Sequence, residues 1–170
     1  LTRGSKNLAR KKVLVKKIDS IQNLGAIDIL CTDKTGTLTE NKITLQKYID
    51  ASGKENDDIL EYAYLNSYYS TGIKNLVDKA IIIYGNNHLL KEDVNKYEKI
   101  DEIPFDYTRK KQSIVVKNNS IYRMITKGAL EEIIKDCINV KINNKVSLIT
   151  NDMKLKIKNK AIELANDGMQ

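Results

Sequence analysis

The amino-acid sequence predicts an α/β opening followed by an antiparallel, hairpin-rich α+β body, a sheet flanked by helices. Three observations carry that expectation. The apolar run 26–31 leads straight into a Gly-containing loop, as strands of an open α/β sheet do. Strand-like segments at 98–103, 113–117 and 121–126 follow one another, the last two flanking a turn at Asn118-Asn119. Helix-period apolar stripes lie on both sides of that strand run.

Taken in order, residues 4–12 read as a short polar helix and Val13-Leu14-Val15 as a short strand. Residues 19–24 form one helical turn closed by Gly25, and 26–31 the buried strand before the loop 33–39. Residues 43–49 alternate well enough for a strand. Asp57 or Asp58 caps a helix that runs through Tyr69. Leu76, Val77, Ala80, Ile81 and Tyr84 share a helical face, and Gly85-Asn86-Asn87 ends that helix. After the three strands, Leu130, Ile133, Ile134 and Cys137 make one stripe and Met153, Ile157, Ala161 and Leu164 another.

With 170 residues the chain suits one domain, or a domain and a fragment, and its start at Leu1 reads as that of a piece of something larger. No apolar stretch approaches the ~18–20 residues that cross a bilayer, and no secretory signal is present. The two cysteines, Cys31 and Cys137, are too few for a disulfide framework or a zinc site and read as reduced thiols. Lys and Arg number 29 against 22 Asp and Glu, a formal charge of +7. That balance suits nucleic acid, anionic lipid or a polyphosphate ligand. No nucleic-acid module is recognisable, and most of the charge reads as solvated lysine surface. The basic opening, Arg3 through Lys17, fits a charged linker or a segment touching anionic headgroups.

The chemistry is concentrated in Asp33-Lys34-Thr35-Gly36-Thr37-Leu38-Thr39. A carboxylate at the carboxyl end of a strand stands where open α/β sheets place ligands. Thr35, Gly36 and Thr37 supply hydroxyls, backbone N–H groups and room for an anion to approach. Lys34 adds a cation. These residue types point to a carboxylate nucleophile for phosphoryl transfer. The plainer alternative is an Asp-Gly turn joining two strands, with Asp33 capping it.

This string resembles the phosphorylation motif of the P-type ATPases, the ion pumps that form an aspartyl-phosphate during transport. The resemblance implies Asp33 as the nucleophile that takes the γ-phosphate of ATP, with Lys34 and Thr35 beside it. It also implies Mg²⁺ held by the Asp33 carboxylate and the backbone carbonyl of Thr35. Phosphatases on the related haloacid-dehalogenase fold carry a second Asp two residues after the nucleophile. Thr35 stands there instead and cannot do acid/base work near neutral pH, so a phosphoenzyme would persist. On this likeness residues 1–45 are the stalk and first part of an incomplete α/β, haloacid-dehalogenase-like phosphorylation domain. Residues 46–170 are then an α+β nucleotide-binding domain, with an antiparallel sheet flanked by helices.

Further segments resemble the family's ATP site. Lys127-Gly128-Ala129 is similar to its KGA motif, which implies Lys127 deep in the adenosine pocket and Gly128 leaving room for the ring; taken alone it is a charged strand end before a helix. Phe105, the only Phe, follows the only Pro in 103–111 and would stack on adenine, with Arg109 and Lys110 reaching the phosphates. Without the resemblance Phe105 reads as core. Asp78 lines up with the family's acceptor for the adenine amino group; it lies off the apolar stripe of its helix, its carboxylate free to face a pocket. His88, the only His, is not followed by Pro, which speaks against the heavy-metal pumps.

The wording of 26–44, 65–76, 100–106 and 127–133 resembles the bacterial magnesium-transporting P-type ATPases. That likeness implies an ATP-driven magnesium importer of the cell membrane, with this portion facing the cytosol. Its partners would be ATP, the rest of the same polypeptide (actuator, membrane and second phosphorylation-domain half) and a transported cation bound in membrane helices that this sequence lacks. A pump for another cation such as Ca²⁺, or a non-catalytic nucleotide-binding regulatory module, stays open. The family's Gly-Asp-Gly-x-Asn-Asp and Thr-Gly-Glu motifs do not occur, so this chain is expected to bind nucleotide weakly and to turn none over.

Overall fold

The computed structural model describes residues 2–34, 36–40, 42–88 and 90–169, with Lys91 by its backbone alone. It divides into two compact units, Leu1–Asn41 and Lys42–Gln170.

The first unit holds two helices. Helix α1 spans Thr2–Arg10. It ends in a Schellman arrangement: Lys12 takes φ 60°, its N–H donates to Ala9 O, and the Val13 N–H donates to Leu8 O, both at 2.9 Å. Helix α2 spans Ser20–Leu24, and Gly25 closes it at φ −74°, a conformation that asks nothing of glycine. The expected strands at 13–15 and 26–31 are not formed. Leu14, Ile29 and Leu30 are 87, 82 and 72 % exposed. The reason is physical. A strand exists through its hydrogen-bonded neighbours, and among the described residues this unit offers no second strand.

The second unit has a sheet and a core. Helix α3, Asp57–Tyr69, is capped by Asn56 rather than by Asp57 or Asp58, its side chain accepting the Asp58 N–H at 3.0 Å. The two aspartates occupy the first turn instead, where the helix dipole favours them. Helix α4, Leu76–Asn87, runs through Gly85. A Cβ there would meet Tyr64 Cδ2 at 2.2 Å, so Gly85 lets α4 close on α3 rather than ending the helix. A short α5, Leu90–Val94, follows.

Strands β1 (Glu98–Asp106), β2 (Lys111–Asn118) and β3 (Ile121–Gly128) form an antiparallel meander in that order. Asn118 pairs with Ile121, so the hairpin turn lies at 119–120, with Asn119 at φ 54°. Tyr64 and Leu65 of α3, Ile81 of α4, Val94 of α5 and Ile114 and Val116 of β2 make the core. Helix α6 is Leu130–Asp136 and α7 is Asn151–Asn166, capped by Thr150. The stripe Met153, Ile157, Ala161 and Leu164 is half-buried. Between these helices stands a hairpin the sequence reading missed, β4 (Asn139–Ile142) and β5 (Lys145–Leu148). Its signal was Asn143-Asn144, both at positive φ (50° and 62°), the residue type such tight turns select.

Residues 43–49 do not form the expected strand. They make one bridge, Ile49 to Glu55, and line a groove of about 610 Å³ with Val77 and Ala80 of α4 and Ala161 and Leu164 of α7.

Candidate functional site

The residues singled out in the second unit gather where β2 begins and β3 ends. Lys127 pairs across β2–β3 with Gln112, so both project on the same face as Ile114, toward α3. Asp78 reaches that region from the first turn of α4. Its backbone N–H is held by the Asn75 side chain at 2.8 Å, which caps the helix. Its side chain is 6 % exposed and fully engaged at one oxygen: Ser67 Oγ donates to Oδ1 at 2.8 Å, and the Lys127 ammonium pairs with the same atom. Lys127 also lies 3.5 Å from Ser67 Oγ. A buried carboxylate survives there because a cation and a hydroxyl both meet it. Asp78 is therefore not a free carboxylate beside the apolar stripe but the centre of a buried cluster.

Gly128 answers to a close approach. A Cβ at that position would lie 2.4 Å from Lys110 O, and the next N–H, of Ala129, donates to that same carbonyl at 3.1 Å. Lys110 itself takes φ 53°, a left-handed conformation uncommon for lysine. The turn that leads to it is built by Asp106, whose Oδ1 accepts the N–H groups of Thr108 (2.7 Å) and Arg109 (3.1 Å). The Arg109 guanidinium closes on the other oxygen through Nε at 3.0 Å. The Arg109 backbone and side-chain hydrogen bonds hold the Asp106 carboxyl below its usual range.

Phe105 is not core. It is 49 % exposed and meets Tyr107 edge to face, ring centroids 5.1 Å apart. Since Asp106 pairs with Lys111 and Lys111 with Gly128, the ends of β1 and β3 stand two strand spacings apart, roughly 10 Å.

Three residues of this cluster escaped the sequence reading. Asn75 was findable: an Asn three positions before an Asp, ahead of an apolar run, is a helix-start pattern. Ser67 reaches Asp78 across eleven residues, and Lys74 folds back on α3; neither contact has a local signature.

In the first unit Asp33 is exposed. The loop after it closes on the Lys34 carbonyl, which accepts the N–H groups of Leu38 (3.1 Å) and Thr39 (3.2 Å) and the Thr39 hydroxyl (3.2 Å). Gly36 sits at φ 76°, a value that suits glycine. Thr35, expected at the catalytic and metal site, lies outside the described residues. Among the described residues no group of three or more His, Cys, Asp or Glu stands ready for a metal ion. None of their helices is long and apolar enough to cross a membrane.

The chain is similar along its whole length to named proteins. It is 43 % identical over 171 residues to the "Magnesium-transporting ATPase, P-type 1" of Escherichia coli K12, covering all of this chain and 19 % of that protein. The protein of the same name from Salmonella typhimurium LT2 is 42 % identical over the same shares. The "Calcium-transporting ATPase 1" of Bacillus cereus is 27 % identical over 98 % of this chain and 21 % of its own length. The chain thus spans about a fifth of the curated relatives it matches. A family model described as P-type ATPase, cytoplasmic domain N, matches residues 21–170. The chain belongs to the P-type ATPases, its match to their cytoplasmic domain N covering residues 21–170.

Proposed function

We propose that residues 46–170 bind ATP for an ATP-driven cation transporter of the cell membrane, the cation being Mg²⁺, and that Asp33 accepts the phosphoryl group. Residues 1–45 would then be the stalk and the opening of a haloacid-dehalogenase-like phosphorylation domain. In that reading the exposed run 26–31 has the composition of a strand that pairs with other parts of the polypeptide. The magnesium assignment is drawn from the relatives' names: identity to the magnesium-transporting proteins is 43 %, against 27 % to the calcium-transporting one.

The observation that carries the nucleotide reading is the Asp78 cluster. A buried carboxylate with an acceptor oxygen to spare suits an exocyclic amine. The Lys127 ammonium beside it supplies the cation, and Gly128 keeps that strand end clear of a side chain. Phe105 offers a half-exposed aromatic face for stacking a base. Lys110 and Arg109 bring positive charge for the phosphates.

In phosphoryl transfer a carboxylate oxygen of Asp33 bonds to the γ-phosphorus as the bond to the β,γ-bridging oxygen breaks, leaving ADP and an acyl phosphate. This chain's part is positioning and charge neutralisation. An exposed carboxylate is a suitable hard oxygen donor for Mg²⁺, so Asp33 would hold the ion together with the Thr35 carbonyl. When bound, Mg²⁺ shields the phosphate charge.

The test is made in the intact protein. Asp33→Asn is expected to abolish acid-stable phosphoenzyme from γ-labelled ATP while nucleotide binding persists. Phosphoenzyme at wild-type level would overturn the assignment of Asp33. On this chain alone, Phe105→Ala and Lys127→Ala are each expected to weaken ATP by about tenfold or more, ~1.4 kcal/mol, in NMR titrations. Wild-type affinity in both would move the site elsewhere.

A further inference from the structure

Lys74 lies in the loop between α3 and α4 and turns back onto the end of α3. Its Nζ donates to the carbonyls of Ser67 (2.5 Å), Tyr68 (3.0 Å) and Ser70 (2.6 Å) and approaches Ser70 Oγ at 3.4 Å. Ser67 and Tyr68 lie in the last turn and Ser70 is the C-cap; the Ser67 carbonyl also accepts the Ser70 hydroxyl at 3.1 Å, and a cation there meets the negative end of the dipole. Ser67 is the residue whose hydroxyl donates to Asp78. A continuous path runs from the Lys74 ammonium through the Ser67 backbone and side chain to the Asp78 carboxylate.

The surroundings make the ammonium responsive. Burial lowers the Lys74 pKa; Asp78 of α4 and Glu102 of β1 oppose that shift, and Lys127 of β3 and Lys99 of β1 add to it. The same loop is fastened on its other side: Glu102 accepts the Thr71 N–H at 2.9 Å, and Lys99 donates to Tyr69 O at 2.8 Å. The junction of α3 and α4 is thus set by charges, and Lys74 is the one that touches the Ser67 carbonyl.

We propose that Lys74 is a positioning residue for the nucleotide site, its charged form fixing Ser67 and through it the Asp78 carboxylate. The inference rests on the reading of Asp78 and Lys127 as nucleotide-binding. As pH rises and the ammonium loses its proton, the end of α3 loses its cationic cap and affinity falls. Arginine at this position stays charged far above that range.

The experiment is ATP titration of the 170-residue chain by amide NMR, between about pH 7 and pH 10, on wild type, Lys74→Arg and Lys74→Met. At the low end Lys74→Met is expected to bind about tenfold more weakly and Lys74→Arg within about twofold of wild type. On raising the pH, wild-type affinity falls toward that of Lys74→Met while Lys74→Arg falls less; Lys127 is present in all three, so its contribution cancels in the comparison. A merely structural lysine would offset Lys74→Met by the same factor at every pH. Parallel profiles for wild type and Lys74→Arg overturn the inference, and that comparison stands even if Lys74→Met does not fold. Absence of ATP binding by wild type overturns the nucleotide reading and this inference with it. Wild-type binding lost in Lys127→Ala but unchanged in both Lys74 variants overturns this inference alone.

Discussion

Residues 2–40 and residues 42–169 spend their apolar side chains in opposite ways. In the first stretch no described residue is buried, and Leu14, Ile29, Leu30 and Leu38 all face solvent. In the second, Tyr64, Leu65, Ile114 and Val116 are sealed in the core that α3 and β2 share with α4 and α5. Yet the first stretch carries the most specific string in the chain, and the second carries its site in pieces scattered from Ser67 to Gly128. The contrast separates two kinds of information. A motif reports chemistry whether or not the residues around it are paired, whereas a strand or a core reports partners. Asp33 can therefore be proposed as a nucleophile in a unit where, among the described residues, the run leading to it has no strand to pair with.

The contrast breaks most violently at Gly85. Alanine would ordinarily gain about 1 kcal/mol over glycine in a helix interior. Here a Cβ would stand 2.2 and 2.7 Å from Tyr64 ring atoms, closer than real contacts allow. The ring has no escape, since it is buried and its hydroxyl donates to Asn86 Oδ1 at 2.6 Å. Overpacking wins, and Gly85→Val is expected to cost about 3 kcal/mol or more. Urea unfolding followed by tyrosine fluorescence measures it. Amide signals of 42–169 should broaden or disperse while those of 2–40 stay in place. A midpoint within error of wild type would mean that α3 and α4 are not in the contact described.

Legibility followed the same division. Helices α3, α4, α6 and α7 and strands β1 to β3 were readable because each carries its own periodicity and each found a partner within reach. Segments 13–15, 26–31 and 43–49 have comparable patterns and, among the described residues, no partner strand, and periodicity cannot report that lack. Gly85-Asn86-Asn87 reads as the end of α4, and the helix does end at Asn87; that Gly85 lies within it and admits a ring is what sequence alone cannot tell. At the site, Asp78, Lys127 and Gly128 were picked out by resemblance, and the structure brings them to one end of the sheet. The bond from Ser67 to Asp78 and the cap of Lys74 on α3 depend on how two helices meet, which no window of sequence contains.

A smaller effect sharpens the comparison through pH. Glu102 has a side chain only 9 % exposed; burial pulls its pKa up, but hydrogen bonds from Lys99 and from Thr71 outweigh it and hold the carboxyl below its ordinary range. A carboxyl held low in the fold adds stability that is fully present above its ordinary value of about 4.3 and lost as pH falls through the lowered one. Acidification should therefore loosen the second unit at the α3–α4 loop, and Glu102→Gln should remove that part of the slope. Urea midpoints of both proteins between about pH 6 and pH 3 decide it. Equal slopes would show that the Lys99 and Thr71 bonds add nothing to folding.

The smallest expected effect lies in the first unit, where the comparison demands almost none. Leu30 has the residue type of a core position and sits close before the loop 33–39, so truncating it would cost about 2–5 kcal/mol were it packed. It is exposed instead, and surface changes away from caps, pairs and cores stay within about 0.5 kcal/mol. Leu30→Ser in this chain should leave the unfolding midpoint where it was. The same substitution in the intact protein tests the proposal that 26–31 pairs with other parts of the polypeptide: there it should lower stability and phosphoenzyme yield together. A loss of stability in the 170-residue chain would mean that Leu30 already has a packed partner here, and the division of the molecule into a cored and a coreless unit would fail at that residue. No change in either setting would leave the run without the strand role its composition suggests, whatever Asp33 does beside it.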